Sequence, residues 1–370
     1  MKLGVLREQE PEKRVTILPD LVSTLLKLKL EVEIEKNAGQ GAHASDADYT
    51  NAGASVKEKA AIFKECDLIL KINPVTSEEL KMVKKDQVIT CVMNPFFNHD
   101  MVQSLAEKQA TVFSLDFLPR TTRAQAMDIL SSMATVSGYK AVIDAALNLP
   151  RFFPMFMSAA GTIKPAKMLI LGAGVAGLQA IATARKLGAI VEVFDVRSAV
   201  KEEVQSLGGK FVEVEGAVED KSAGGYAVEQ TEEFKQKQAE LIHKHAAAAD
   251  IVICTAQIPG KKAPLLIRKE TVESMKPGSV IVDLAASSGG NCELTVNGET
   301  KVVSQVTILG QTDYPSRLAI DASSMFGKNV LNFLNLLFDE EGKLNLNFED
   351  EIIKGTCLCH KGEITNDRLK

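Results

Sequence analysis

No apolar run in this 370-residue chain reaches the roughly 20 residues that a membrane-crossing helix needs. The chain itself is therefore expected to be soluble, with any membrane attachment made through a partner. It lacks a charged-then-apolar leader, because Met1-Lys-Leu-Gly-Val-Leu6 already reads as a strand. It also lacks a strong charge of either sign. A formal net charge of −5 gives no general reason to expect nucleic-acid binding. Cysteine is scarce: Cys66, Cys91, Cys254, Cys292, Cys357 and Cys359. Several lie in apolar strand-like runs, as free buried thiols do, which fits a reducing compartment. Cys357-Leu-Cys359-His360 has the look of a metal cluster. No second cysteine or histidine group lies near it in sequence, so no metal is expected. Gly224-Gly225 lacks the Lys-Ser/Thr ending of a phosphate loop.

What is present is ordinary globular material, 45% hydrophobic and 25% charged, and long enough for two domains with a core each. One stretch organises the rest. Four apolar residues, 168–171, read as a short buried strand. Gly172, Gly174 and Gly177 follow at G-x-G-x-x-G spacing, then Ala180, Ile181, Ala184 and Leu187 at helical spacing, and Gly188 ends that run. A second apolar strand, 190–194, ends in Asp195. Gly172 permits a tight turn. Gly174 lets the backbone approach a pyrophosphate seated on the helix N-terminus, where the amides of Val175 and Ala176 lie, and Gly177 lets the helix lie close to the strand. Asp195, about 20 residues on, stands where a carboxylate accepts hydrogen bonds from both ribose hydroxyls of NAD and repels a 2′-phosphate. A glycine fingerprint alone is weak; strand, helix and acid together point to NAD(H).

The remaining chain alternates strands and helices. Strands are expected at 2–6, 31–34, 67–71, 88–93 and 111–114, with helical character at 19–28 and 60–63. This first stretch has no glycine fingerprint. Residues 124–147 read as one long helix that passes from one domain to the other. Later strands fall at 210–214, 251–254, 280–284 and 306–309, and a helix at 325–337 returns to the first domain. Residues 344–370 mix charge with short apolar pieces and read as surface packing. The fold class expected is α/β: two Rossmann-like, doubly wound parallel-sheet domains joined by long helices, with a nucleotide cleft between them. The first is discontinuous, 1–135 plus 318–370; the NAD(H)-binding domain is 136–317. His243 and His245, in an alanine-rich helix at 235–249, are two apart and share no helix face, so they read as solvated surface rather than ligands.

With these residues in view, the chain resembles the NAD(H)-binding component of proton-translocating NAD(P) transhydrogenase. The resemblance covers essentially the whole chain. It rests on Pro119-Arg-Thr-Thr-Arg-Ala-Gln-Ala-Met-Asp128 with Ser131-Ser132, on 171–179, and on Asp195-Val-Arg197. It continues through Ala223-Gly-Gly-Tyr226, Thr255-Ala-Gln-Ile-Pro-Gly260, Asp283-Leu-Ala-Ala286 with Gly289-Gly-Asn-Cys-Glu293, and Tyr314-Pro-Ser-Arg317 with Asp321-Ala-Ser323. The resemblance implies hydride transfer between NADH here and NADP(H) on a partner domain, the beta subunit, with a membrane domain coupling it to proton translocation. It also implies a homodimer, located in the cytoplasm against the inner (plasma) membrane, or on the matrix side in a mitochondrion.

Alanine dehydrogenase shares the fold and is the rival. Two residues that hold the keto acid there have counterparts in Arg14 and Lys71. The positions matching its acid-base histidine and aspartate are Asn94 and Ser287, and neither side chain exchanges protons usefully near neutral pH. Direct hydride transfer between two nicotinamides moves no proton at the reacting atoms, so that loss is tolerable in a transhydrogenase. A third reading is a nucleotide-sensing module without turnover.

The resemblance also assigns roles. By its residues alone, 120–128 reads as a charged segment opening a helix, with Asp128 an acid of the first turn. In the family it is the loop at the nicotinamide end: Arg120 and Gln125 reach toward the second nucleotide, while Asp128 and Ser131 fix the carboxamide and ribose. Tyr226, after two glycines in the loop 215–230, corresponds to the tip of a flap that closes over NAD(H). Thr255, Ala256, Gln257 and Pro259 follow a buried strand and are expected against the adenosine or ribose. Val196 and Arg197 complete the acid's turn, and Arg197 is placed to stack on the adenine. That cation by itself would point to NADP, but Asp195 holds the ribose position.

Overall fold

Short runs of Val, Ile and Leu recur between helix-forming stretches, and nearly every run is a strand. The structure, a computed structural model, describes residues 1–214, 231–257, 261–339 and 341–370. Its strands are β1 (Lys2–Val5), β2 (Glu31–Glu35), β3 (Ser55–Lys57), β4 (Leu68–Leu70), β5 (Val88–Cys91), β6 (Thr111–Ser114), β7 (Phe156–Ser158), β8 (Gly161–Ile163), β9 (Lys167–Leu171), β10 (Ile190–Phe194), β11 (Lys210–Val212), β12 (Ile251–Cys254), β13 (Val280–Asp283), β14 (Thr300–Val303), β15 (Val306–Leu309), β16 (Cys357–His360) and β17 (Glu363–Ile364). The chain divides into two compact units, Met1–Met133 with Pro315–Lys370, and Ala134–Tyr314.

The first unit holds an eight-stranded sheet in the order β17-β16-β6-β5-β4-β1-β2-β3. Strands β1 to β6 run parallel. Their side chains alternate between two cores: Leu3, Val5, Leu68 and Leu70 on one face, Ile69, Ile89, Cys91 and Val112 on the other. A sheet covered on both faces explains why these strands read as continuous apolar runs. The C-terminal stretch departs from the expected surface packing. Its Cys357, Leu358 and Cys359 are buried, and β16 pairs antiparallel with β6, so the apolar run closes an edge that would otherwise be bare. Burial pushes the Cys357 and Cys359 thiols up to about 11 and about 12. Among the described residues no group of three or more His, Cys, Asp or Glu side chains is placed to hold a metal.

The second unit holds a seven-stranded sheet in the order β11-β10-β9-β12-β13-β15-β14, parallel except for β14. The chain starts in the middle at β9, winds out through β10 and β11, then crosses to β12. That reversal creates a crevice at the carboxyl ends of β9 and β12, the ligand position of doubly wound sheets. Both α/β sheets bear out the expected fold class.

The long helix differs from its expected span. Residues Thr122–Met127 form a tighter 3₁₀ turn, and the helix proper is Ile129–Asn148. The break falls at Asp128, whose carboxylate accepts from the Ser131 backbone N–H at 3.0 Å and caps the helix. An unexpected hairpin, β7 with β8, lies exposed on both strands. No helix among the described residues is long and apolar enough to cross a membrane.

Candidate functional site

The glycine turn sits at that crevice. Gly172 has φ +106°, a conformation open to glycine and strained for other residues. Gly174 is extended and begins the helix Val175–Lys186, which no side chain caps. Its first amides are therefore offered to an anion, with the helix dipole behind them. Gly174 and Val175 are exposed, and a Cβ built on Gly174 meets nothing within 4 Å. That open space is a cradle of the kind a pyrophosphate fills. Gly177 is the opposite case: a Cβ there would lie 1.9 Å from the Gly172 carbonyl oxygen. Gly138 likewise lets the long helix approach Ala176, whose carbonyl oxygen a Cβ would meet at 2.1 Å.

The loop after β12 is stitched to this turn. The Thr255 hydroxyl donates to the Gly172 carbonyl at 2.9 Å, and its backbone N–H donates to the Leu171 carbonyl at 2.9 Å. The Ala256 N–H donates to Asn291 Oδ1 at 3.1 Å, and Asn291 Nδ2 returns a bond to the Ala256 carbonyl at 2.9 Å. Gln257 Nε2 donates to the Leu284 carbonyl at 2.9 Å. Pro259 and Tyr226 lie outside the described residues.

Asn291 and Asp283 stand in the sequence only as parts of motifs, with no role assigned to either. Both are fully buried. Asp283 Oδ2 accepts from the N–H groups of Asn291 and Cys292 and from the Thr295 hydroxyl, and Oδ1 accepts from the Ala285 N–H. Burial pushes its carboxyl up, against the pull of those four donors. Asp283 thus fixes the loop that carries Asn291, and Asn291 fixes Ala256. The available signal was an acid ending an apolar strand just before Gly289-Gly290.

Asp195 ends β10 beside the turn, as expected, but its carboxylate is already engaged. Oδ2 accepts from the Ala173 N–H at 2.7 Å and from Arg197 Nη2 at 2.7 Å. Oδ1 accepts from the Arg197 N–H and Nε, each at 2.9 Å. Val196 packs against the core below.

In the first unit, Arg120, Gln125, Asp128 and Ser131 lie together in sequence and in space. Asp128 Oδ2 accepts from the Ser131 hydroxyl at 2.6 Å and from Arg120 Nη1 at 3.4 Å. Gln125 is exposed in the 3₁₀ turn. Arg14 and Lys71 carry acidic partners that were not anticipated. Arg14 forks onto Glu12 at 2.8 and 2.6 Å, and Lys71 meets Glu79 at 2.7 Å. Burial pushes Glu79 up, but Lys71, the Thr76 amide and Lys59 outweigh it and hold it below the ordinary range. Asn94 donates its N–H to Asp116, and Ser287 is exposed.

Comparison with known proteins places this geometry. Residues 4–137 match the family described as "Alanine dehydrogenase/PNT, N-terminal domain", and residues 141–367 match "Alanine dehydrogenase/PNT, C-terminal domain". The chain belongs to the alanine dehydrogenase/PNT family. It is 46% identical to an alpha-subunit chain of the NAD(P) transhydrogenase of Rhodospirillum rubrum, over 100% of this chain and 99% of that one. The crystal structure of transhydrogenase from Sinorhizobium meliloti superposes with a TM-score of 0.90 at 42% identity, over 98% of this chain and 100% of that one. Alanine dehydrogenase is a more distant relative: that of Mycolicibacterium smegmatis is 30% identical over 78% of this chain and 74% of its own. The chain is thus a homologue of the transhydrogenase alpha subunit, with the oxidoreductase fold that goes with it.

Proposed function

We propose that this chain is the NAD(H)-binding component of a proton-translocating NAD(P) transhydrogenase, in which bound NADH supplies hydride to NADP⁺ on a partner domain. The observation that carries the reading is the crevice at β9 and β12. There an uncapped helix N-terminus, the open space at Gly174, the stitched Thr255 loop and the carboxylate of Asp195 converge. The amides of Val175 and Ala176 hold the pyrophosphate, Asp195 and Arg197 govern the adenine ribose, and Thr255, Ala256, Gln257 and Pro259 line the adenosine side. Arg120, Gln125, Asp128 and Ser131 serve the nicotinamide end, and Tyr226 closes over it.

A partner carrying NADP(H), a beta subunit, and a membrane domain that moves the protons complete the machine, with this chain peripheral to the membrane on the cytoplasmic or matrix side. The R. rubrum relative is named as one portion of a divided alpha subunit, which supports further subunits. A homodimer is supported by the hairpin of β7 and β8. Its flank exposes Phe152, Met155, Phe156 and Met157, and the Phe152 and Phe156 rings stack 5.1 Å apart. Exposed apolar patches of this kind mark protein contacts.

Asn94 and Ser287 disfavour an amino-acid dehydrogenase, because neither accepts the proton that amine oxidation releases. The test is to assay the purified chain with and without the NADP-binding partner. Transfer from NADH to an NADP⁺ analogue only when the partner is present is expected. Turnover by the chain alone, or none with the partner, overturns the proposal.

A further inference from the structure

Asp195 holds the ribose position with no acceptor site left over. A carboxylate has about four lone-pair sites, and all four of those on Asp195 receive N–H donors. Its side chain is 6% exposed. Two of the donors, the N–H groups of Ala173 and Arg197, belong to the backbone and are fixed by the turn. The other two belong to the Arg197 guanidinium: Nε on Oδ1 at 2.9 Å and Nη2 on Oδ2 at 2.7 Å. This fork places one donor on each oxygen, the pattern that two vicinal hydroxyls also present. The guanidinium is carried on a long side chain that is 27% exposed, so it is the partner able to leave.

From this arrangement we propose that Arg197 is an internal competitor for the adenine-ribose site. Its fork occupies Asp195 until a 2′,3′-diol displaces it, two donors for two. The proposal rests on the NAD(H)-binding reading and adds a specificity-determining residue to it. Arg197 lowers the affinity for every nucleotide that must use Asp195, and it keeps the carboxylate neutralised while the site waits. A ribose with a 2′-phosphate has only one of the two hydroxyls and brings negative charge, so it cannot displace the fork in the same way. The sign of the effect separates this role from stacking on the adenine. A stacking arginine helps the nucleotide, whereas a competing one hinders it.

The experiment is calorimetric titration of wild type and Arg197→Ala with NADH and with ADP-ribose, which has the diol but no nicotinamide. Arg197→Ala is expected to bind both ligands roughly threefold to tenfold more tightly, the range for a partly exposed charge-assisted fork. Its affinity for NADPH should not rise. Arg197→Lys keeps the charge but replaces the planar fork with a single ammonium, and should fall between the two. That milder variant decides the matter if Arg197→Ala fails to fold by circular dichroism. Unchanged or weaker NADH binding in the folded variants overturns the proposal. Wild-type chain that binds neither NADH nor ADP-ribose overturns the underlying reading instead.

Discussion

The Lys71 ammonium lies 2.7 Å from the Glu79 carboxylate, and both side chains are only 2% exposed. A cation held this way is not available to a keto acid, and Arg14 is similarly held by Glu12. The chain is therefore expected neither to bind pyruvate saturably by calorimetry nor to make NADH from L-alanine and NAD⁺. Saturable NADH production from alanine would contradict both the pairing argument and the reading of Asn94 and Ser287. Lys71→Ala should cost stability rather than activity, about 1–3 kcal/mol by urea denaturation, because the buried Glu79 loses one charged donor but keeps Lys59 and the Thr76 amide.

The second and third glycines of the fingerprint should fail differently. Gly174 has room for a Cβ and an ordinary negative φ, so Gly174→Ala should fold with near-normal stability but lose NADH affinity, as the methyl enters the cradle. Gly177→Ala drives a Cβ into the Gly172 carbonyl and should lose about 1–3 kcal/mol of stability together with binding. Thermal melts paired with NADH titration distinguish the two. Equal stability losses would remove the distinction.

Gln125 should matter to transfer more than to NADH binding. Its carboxamide is neutral and exposed, while the side chains of its neighbours Asp128 and Ser131 are bonded to each other. In Gln125→Asn, with the partner domain present, stopped-flow hydride transfer should slow by as much as about a hundredfold, the scale of a small misalignment of reacting atoms. NADH affinity should stay near wild type. Near-normal transfer, or a loss confined to NADH affinity, would remove Gln125 from this role.

The strands expected in both sheets were legible because each is a local apolar run whose side chains face two cores; β3 and β14, short and partly exposed, were not. The glycine turn was legible because strand, turn and helix are contiguous. Side-chain pairings were not. The donors on Asp195 come from its own turn and from Ala173, 22 residues away, and nothing in their spacing states that the acid is already engaged. The break at Asp128 was hidden by helix-forming residues on either side, since a capping acid also looks like an exposed first-turn acid. The Cys357–His360 run was misjudged because its partner strand, β6, lies far back in the sequence.

Asp250 supplies a pH test of the second unit. Its carboxylate accepts from the Lys167 N–H at 2.8 Å, Arg151 at 2.9 Å and Lys276 at 3.0 Å. Burial pushes it up, but the Lys167 amide, Lys276 and Arg151 outweigh this and hold it below the ordinary range. A depressed folded-state pKa gives stability that is present above the unfolded value, about 4, and is lost as pH falls below it. Asp250→Asn should cost about 1–2 kcal/mol at pH 7, limited by the partial exposure of Arg151 and Lys276. The gap from wild type should shrink in denaturation runs toward pH 3. A gap that is constant across that range would show that the charge is not the source.

The central claim is that this chain holds NAD(H) and leaves NADP(H) to its partner. Equilibrium fluorescence titration of the purified chain with NADH and with NADPH tests it most directly, with Asp195→Ser alongside. The account predicts tighter binding of NADH, and a narrower gap in Asp195→Ser, mainly through loss of about 1.5–3 kcal/mol of NADH binding. Equal affinity of the wild-type chain for the two nucleotides would contradict it.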